Sequence, residues 1–185
     1  MQNSKPRIVH LTSAHLRFDT RIFIKICSSL ANSGFDVSLV VADGYGNENK
    51  NNVSIYDVGP KTGGRISRFT KTVNLVFKKA KELNADIYHL HDPELIFIGL
   101  KLKKLGKKVI FDSHEDFPKQ LLSKHYLNKI IAILLSKFFT YFERWAYKKF
   151  DAVVTVTQQL GDKFSKINSN TVVINNFPLL DELVN

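Results

Sequence analysis

The sequence predicts an α/β domain: a doubly wound, mostly parallel sheet with helices on both faces. Two observations predict it. Short apolar runs alternate with helical patterns along almost the whole chain, as stacked β–α–β units require. One such unit, Asp86 to Asp116 (DIYHLHDPELIFIGLKLKKLGKKVIFDSHED), runs from the apolar Ile87–Leu90 through a helical stretch and Gly106 to the apolar Val109–Phe111. Both of its strands end in a burst of histidine and acid, His91-Asp92-Pro93-Glu94 and Asp112-Ser113-His114-Glu115-Asp116. In open α/β sheets the ligand crevice lies beyond the carboxyl ends of the strands, so both bursts fall where a site is expected.

In chain order, Arg7–Leu11 reads as a buried strand, and Thr12–Phe18 as a polar loop containing His15. Asp19 is placed to cap the next helix, because its carboxylate can accept from the free N–H groups of a first turn. Ile22, Phe23, Ile26 and Leu30 recur at helical spacing in that helix, and Gly34 supplies the stop. Asp36–Ala42 is the second strand. The polar stretch DGYGNENKNN reads as a loop; no helix opens after Gly44 and Gly46, so a dinucleotide fingerprint is rejected. Val53–Val58 is the third strand, and the sequence leaves open whether it pairs with the second as a long hairpin or after an irregular crossover. Lys61–Gly64 reads as a turn. Arg65–Leu83 follows as a basic amphipathic helix with Ile66, Phe69, Val73, Val76, Phe77 and Ala80 on one side.

Beyond the central β–α–β unit, Pro118–Phe150 is one long helical region with a break near Tyr126–Asn128. Ala152–Val156 is a strand, Thr157 caps a short helix from Gln158 to Lys166, and Thr171–Asn175 is the last strand. The remaining LLDELVN holds no closing helix. The expectation is one domain, 1–178, followed at 179–185 by the start of a linker to a further domain.

The 185 residues suffice for one domain with a real core, and 44% apolar with 24% charged residues is ordinary for a soluble globular protein. No apolar run is long enough to span a membrane, and the N-terminus lacks the apolar core of a secretory leader. The single cysteine, Cys27, excludes an intramolecular disulfide, fits a reducing cytoplasm and reads as a core thiol. The net charge of +10 predicts attraction to something anionic. The lysines accompany no recognisable nucleic-acid motif, so a membrane surface or a phosphorylated substrate is preferred.

His10, His15, His89, His91 and His114 fall on or just after strands; only His125 lies elsewhere. His89 shares a face with His91 by strand alternation and reads as a hydrogen-bonded core residue. His91 sits at the strand tip, where it could face a ligand. His114 is the leading candidate: Glu115 and Asp116 would favour its charged form and hold its ring, leaving an imidazole to bind a sugar hydroxyl or phosphate oxygen. The alternative is a helix-capping turn without a ligand. Asp92 reads as an N-cap with Pro93 at the first helical position, and Glu94 as a complement to the helix dipole. Asp19 and Arg21 carry the same ambiguity between helix capping or pairing and phosphate contact.

A metal set of His89, His91, Asp92, His114 and Asp116 has suitable ligand types, but no second tight cluster completes it, so no metal is expected and a metal-dependent hydrolase is the minor alternative. Acyl-transfer and P-loop motifs are absent from the sequence. Lys124, Lys129, Lys137 and Arg144 are interleaved with more apolar side chains than one sheet-packed stripe uses. Two readings stand side by side: a thick core helix with solvated lysines, and a basic-aromatic surface resting on an anionic membrane.

Taken together, VHLTSAHLRFDTRIFIKICSSLANSGFDVSLVVADG, ADIYHLHDPELIFIGL, KKVIFDSHEDFP, FDAVVTVT and TVVINNFP resemble the N-terminal domain of bacterial family-4 (group 1) glycosyltransferases of the GT-B fold. HDPEL with D-S-H-E-D is similar to a subgroup tied to cell-surface polysaccharide biosynthesis. The resemblance implies one Rossmann-like half of a two-domain enzyme. It also implies a retaining, metal-independent transfer from a nucleotide-sugar to a polysaccharide or lipid-linked acceptor, with no cofactor. His114 matches the histidine that contacts the donor sugar near the reaction centre, and Thr12–Arg21 matches the loop that approaches the donor diphosphate and the acceptor. The candidate substrate-binding residues are therefore His15, Asp19, Arg21, His91, Glu94, Glu115 and Asp116. Many relatives have a Gly-Gly pair where this chain has Ser13-Ala14-His15-Leu16, which puts close backbone approach to the phosphate in doubt and points to side chains such as His15 or Arg21. The implied partners are a C-terminal donor-binding domain and a sugar acceptor. The implied location is cytoplasmic or peripheral at the inner face of the plasma membrane, and the domain alone is expected to be inactive. The non-enzymatic alternative is a membrane-docking subunit that pairs with a separate catalytic chain.

Overall fold

The computed structural model describes residues 5–61, 68–124 and 126–178. The expected turn at 62–64, the start of the basic helix at 65–67 with Ile66, the side chain of Phe69, His125 and the linker at 179–185 lie outside the described residues. Among the described residues eight strands form one sheet: β1 (Arg7–Leu11), β2 (Asp36–Val41), β3 (Glu48–Lys50), β4 (Val53–Asp57), β5 (Ile87–Leu90), β6 (Lys108–Ser113), β7 (Ala152–Thr155) and β8 (Thr171–Val173). Their spatial order is β3-β4-β2-β1-β5-β6-β7-β8. Every pairing is parallel except β3 with β4. The expected doubly wound sheet is the observed one.

Among the described residues six helices connect the strands. Helix α1 begins with wide π turns, Thr20–Cys27, and closes as Ser28–Asn32. Helix α2 is Arg68–Thr72 with Val73–Leu83, and α3 is a 3₁₀ turn Pro93–Leu95 running into Ile96–Lys104. Phe117–Leu122 is α4, Lys129–Tyr147 is α5 and Gln158–Ser165 is α6. Asp19, Asn128 and Thr157 cap their helices by accepting from first-turn N–H groups. The expected break in the long helical region falls between α4 and α5.

The polar stretch read as a loop carries β3. Asn51 and Asn52 take φ of 53° and 59°, the left-handed pair that a two-residue hairpin link demands and that asparagine tolerates. Because this hairpin returns the chain, β4 enters parallel to β2, with Val37 opposite Val53. That settles the pairing the sequence left open.

Strand alternation builds two cores. Val9, Leu11, Tyr88, Leu90, Val109 and Phe111 pack with α2, α3 and the buried side of α5. On the other face Val37, Leu39, Val41, Val53 and Ile55 pack with Ile22, Phe23 and Cys27 of α1. Helix α3 lies so close to the sheet that a Cβ on Gly99 would come within 2.5 Å of Leu90 Cδ1 and 3.0 Å of the Phe150 ring. The close crossing fixes where α3 starts, and therefore where His91–Glu94 sit.

Candidate active site

Parallel pairing puts the carboxyl ends of β1, β5 and β6 at one edge, so the two His-and-acid bursts meet the loop after β1. His10, His89, His91 and Asp112 share the sheet face that α1 covers, since His10 pairs in register with His89 and His89 with Ile110. They form a sealed network. His10 Nδ1 and His91 Nε2 are 3.0 Å apart, and His91 Nδ1 lies 3.3 Å from Asp112 Oδ2. Arg21 closes it with a bidentate pair, Nε and Nη2 donating to Asp112 at 2.9 and 2.7 Å.

Burial opposes ionisation of Asp112, but the hydrogen bonds from His91 and Arg21 outweigh it and hold the carboxyl well below the usual range. Burial, reinforced by the neighbouring imidazoles, pushes His10 well down and His89 to about 3, so both are neutral. His89 is buried in the core as the sequence suggested, but its Nε2 lacks the expected hydrogen-bond partner among the described residues. His91 is only 1% exposed and spends both ring nitrogens inside the network, which corrects the picture of a strand-tip histidine open to a ligand. Arg21, 8% exposed, donates its remaining arm to the carbonyl of Ile174 at 3.2 Å. Its guanidinium is thus committed within the fold, to Asp112 and the Ile174 carbonyl, which is the pairing side of the two roles the sequence left open.

Asp92 is also corrected. Its side chain makes no cap hydrogen bond to its own helix. It turns back to the loop after β1, accepting from Thr12 Oγ1 at 2.8 Å, Ser13 N–H at 2.6 Å and Ala14 N–H at 3.2 Å. Ser13 Oγ donates to Glu94 at 3.0 Å, so Glu94 is buried as a loop anchor as well as a first-turn acid. Two side-chain carboxylates thus hold the loop down.

That anchoring presents His15 at the rim. Its Nδ1 lies 3.1 Å from Asp19 and its Nε2 3.4 Å from Asp92. The hydrogen bond to Asp19 raises the His15 pKa against the pull of burial, and the same bond lowers Asp19 to about 2. The His15 ring meets that of His114 edge-on, with centroids 5.4 Å apart. His114 is partly buried, and burial lowers its pKa; Asp112 and Glu115 oppose this without overcoming it. The expectation of a charged His114 is therefore corrected: burial outweighs the carboxylates around it. Glu115 accepts from Gln120, and Asp116 caps α4 and pairs with Lys163 at 2.9 Å. Asp116 is thus the helix-capping residue of the alternative reading, while His114 remains open.

His15, Asp92, Glu94 and His114 line a cleft of about 590 Å³ whose far end is apolar, formed by Leu121, Leu127, Leu135 and Phe139. Carboxylates and imidazoles at one end suit polyhydroxylated ligands, and the other end suits hydrocarbon. Sequence reasoning missed Arg17, which pairs with Asp43 at 2.6 Å and Glu48 at 3.1 Å and braces the same loop from the far side. Its only signal was a basic residue in a loop beside acids.

The metal set weighed from the sequence does not gather. Among the described residues the histidine and acid atoms that converge within 4.8 Å belong to His10, His89 and His91. Within the trio His91 uses both nitrogens, towards His10 and Asp112, while Nε2 of His10 and Nε2 of His89 are buried without a hydrogen-bond partner among the described residues.

Lys129, Lys137 and Arg144 are exposed, Lys124 is half-buried in the cleft lining, and Ile130 (70%), Leu134, Phe138, Tyr141 (74%) and Trp145 on α5 are exposed. Helix α5 buries Ala132, Glu143, Ala146 and Tyr147 and leaves this apolar side uncovered. Among the described residues no helix is long and apolar enough to cross a membrane.

A family model described as Glycosyltransferase Family 4 matches residues 20–177. No curated protein matches the chain by sequence. Among solved structures, sucrose-phosphate synthase from Thermosynechococcus elongatus superposes with a TM-score of 0.69 at 13% identity, covering 96% of this chain and 49% of that one. A UDP-forming α,α-trehalose-phosphate synthase from Burkholderia xenovorans gives 0.53 at 16% identity, with 88% and 42% covered. CalG4, the calicheamicin glycosyltransferase, gives 0.53 at 10% identity, with 95% and 53% covered. At such identities the likeness is one of fold, and this chain spans about half the length of each of these structures.

Proposed function

The chain belongs to glycosyltransferase family 4, and on that premise we propose that it is the acceptor-side half of a retaining enzyme that moves a sugar from a nucleotide-sugar to a lipid-linked acceptor in cell-surface polysaccharide biosynthesis. The observation that carries this reading is the rim pair: His15 and His114 come from different loops, meet at 5.4 Å and open together onto a cleft with acids at one end and hydrocarbon at the other. The transfer step must stabilise a departing nucleoside diphosphate and an oxocarbenium-like sugar, which positioned donors and cations do best in a closed, water-poor site.

A neutral His114 suits donation to a hydroxyl of the donor sugar. His15, whose proton Asp19 holds, suits the developing charge on the diphosphate. Asp92 and Glu94 fix the loop, and His91, Asp112 and Arg21 hold the floor beneath it. Glu115, exposed at the rim, and the apolar end of the cleft would face the acceptor. No cofactor or metal enters this scheme, and the remaining donor contacts belong to a second domain.

The test is His114→Ala in the enzyme that joins this domain to its donor-binding half. Turnover is expected to fall by about 10²-fold, the scale of losing one well-placed donor. Unchanged turnover removes His114 from the site, and sugar transfer by these 185 residues alone refutes the half-site reading.

The uncovered α5 side, with Lys129, Lys137 and Arg144 on the helix that carries exposed Ile130, Leu134, Phe138 and Tyr141, and with Lys124 at the cleft before it, supports docking on an anionic membrane, where a lipid-linked acceptor resides. Flotation with vesicles of anionic lipid is expected at low salt and should weaken as salt screens the lysines; failure to float at any salt rejects the docking surface. A docking subunit without catalysis would float equally well, and the His114→Ala assay separates the two.

A further inference from the structure

Two buried polar atoms beside the cleft lack a hydrogen-bond partner among the described residues and line one small space: Nδ1 of His114 and Oε2 of Glu143. They come from different elements, the loop after β6 and the buried side of α5. The space between them is enclosed by Phe111, Ser113, Phe117 and Tyr147 and measures about 20 Å³. One water needs at least roughly 10–15 Å³ of such volume and two to four polar partners. Buried polar groups are almost always paired, by protein or by water. The volume fits one water, and the two atoms supply its partners.

We propose that Glu143 is a positioning residue for His114, coupled to it through a single water held between β6 and α5. The proposal rests on the reading of His114 as the group that meets the donor sugar, but its test does not require that reading.

The charge state of the pair gives the coupling a direction. Glu143 is 3% exposed, and burial pushes its carboxyl up to about 8, with Lys163 opposing and Asp116 reinforcing the shift. The Lys163–Glu143 separation of 4.0 Å would suggest an ion pair, but Lys163 is already held by Asp116 at 2.9 Å, so burial decides and Glu143 is neutral at pH 7. The groups that face it are Lys163 from α6, Asp116 from the turn before α4 and Tyr147 from its own helix, with His114, Glu115, His91 and Asp112 around the shared space.

As a carboxylic acid, Glu143 donates through the water to Nδ1 of His114, which leaves the His114 proton on Nε2. As a carboxylate above pH 8 it accepts instead, which favours the proton on Nδ1. At working pH the arrangement keeps His114 a neutral Nε2–H donor, a task its two acidic sequence neighbours cannot perform because they are engaged elsewhere.

The experiment follows the ring nitrogens of His114 by nitrogen-15 NMR in the 185-residue chain from pH 6 to 9.5, with the signals assigned through His114→Gln. The expected result is a shift of the His114 tautomer with a midpoint near 8, absent in Glu143→Gln, which keeps the shape and hydrogen-bonding capacity of the side chain but cannot ionise. A His114 titration that is the same in both proteins overturns the proposal. Should Glu143→Gln not fold, Lys163→Met removes the cation facing Glu143 and is expected to move the midpoint upward; a midpoint that stays in place overturns it equally. Neither readout involves sugar transfer, so a failure here is distinct from a failure of the His114→Ala assay.

Discussion

Two groups of histidines sit within one strand-end region and differ in almost every property that matters. His10, His89 and His91 are sealed beneath α1; His10 and His91 are hydrogen-bonded towards Asp112 and Arg21, and the His89 ring packs against both. His15 and His114 stand in the loops after β1 and β6, beyond the same sheet edge and at the rim of an open cleft. The difference teaches that a shared position along a parallel sheet does not assign a shared role. One or two residues of depth decide whether an imidazole stabilises the scaffold or meets a ligand, because depth sets the cost of charge.

The sharpest way to break this comparison is Asp112→Ala. It leaves Arg21 buried and unpaired and removes the partner of His91, so folding stability is expected to drop by about 3–5 kcal/mol in equilibrium denaturation. A loss under 1 kcal/mol would mean that the sealed network is incidental. Asp112→Asn keeps the shape and is expected to lose less.

Acidification is the next largest effect. His10 and His89 have folded pKa values below the unfolded 6.5, His89 at about 3. Their contribution is therefore complete above pH 6.5 and lost as pH falls towards the folded values, because the unfolded chain takes up the protons. Each histidine steepens the loss by at most about 1.4 kcal/mol per pH unit. His15 has the opposite sign: its folded pKa is raised, so its contribution is present below 6.5 and lost as pH rises through the folded value. Denaturant midpoints of wild type and His89→Gln between pH 7 and 5 check this, with a shallower decline expected in the variant.

The smallest expected change completes the contrast. His114→Ala, so costly to turnover, should alter stability by about 1 kcal/mol or less, because its ring is partly exposed and reaches α5 only through the proposed water, with no direct bond. A stability loss as large as that of Asp112→Ala would move His114 from the rim group to the sealed one.

Much of this was legible in the sequence because it depends on neighbours in the chain. The alternation of apolar runs and helical patterns sets a parallel sheet, and parallel strands send their carboxyl ends to one edge; Asp19 and Thr157 cap helices through bonds two or three residues away. The hairpin at β3 was hidden because its strand is polar and exposed, without the alternation that marks a half-buried strand.

What only the tertiary structure decided was burial and pairing at long range. Arg21 finds Asp112 across 91 residues, His10 finds His91 across 81, and Asp92 spans 79 to hold the backbone of Ser13. A side chain's charge and availability follow from the low-dielectric surroundings that such distant partners create. The sequence by itself therefore determined where the histidines and acids gather, and the fold decided which of them remain free to act.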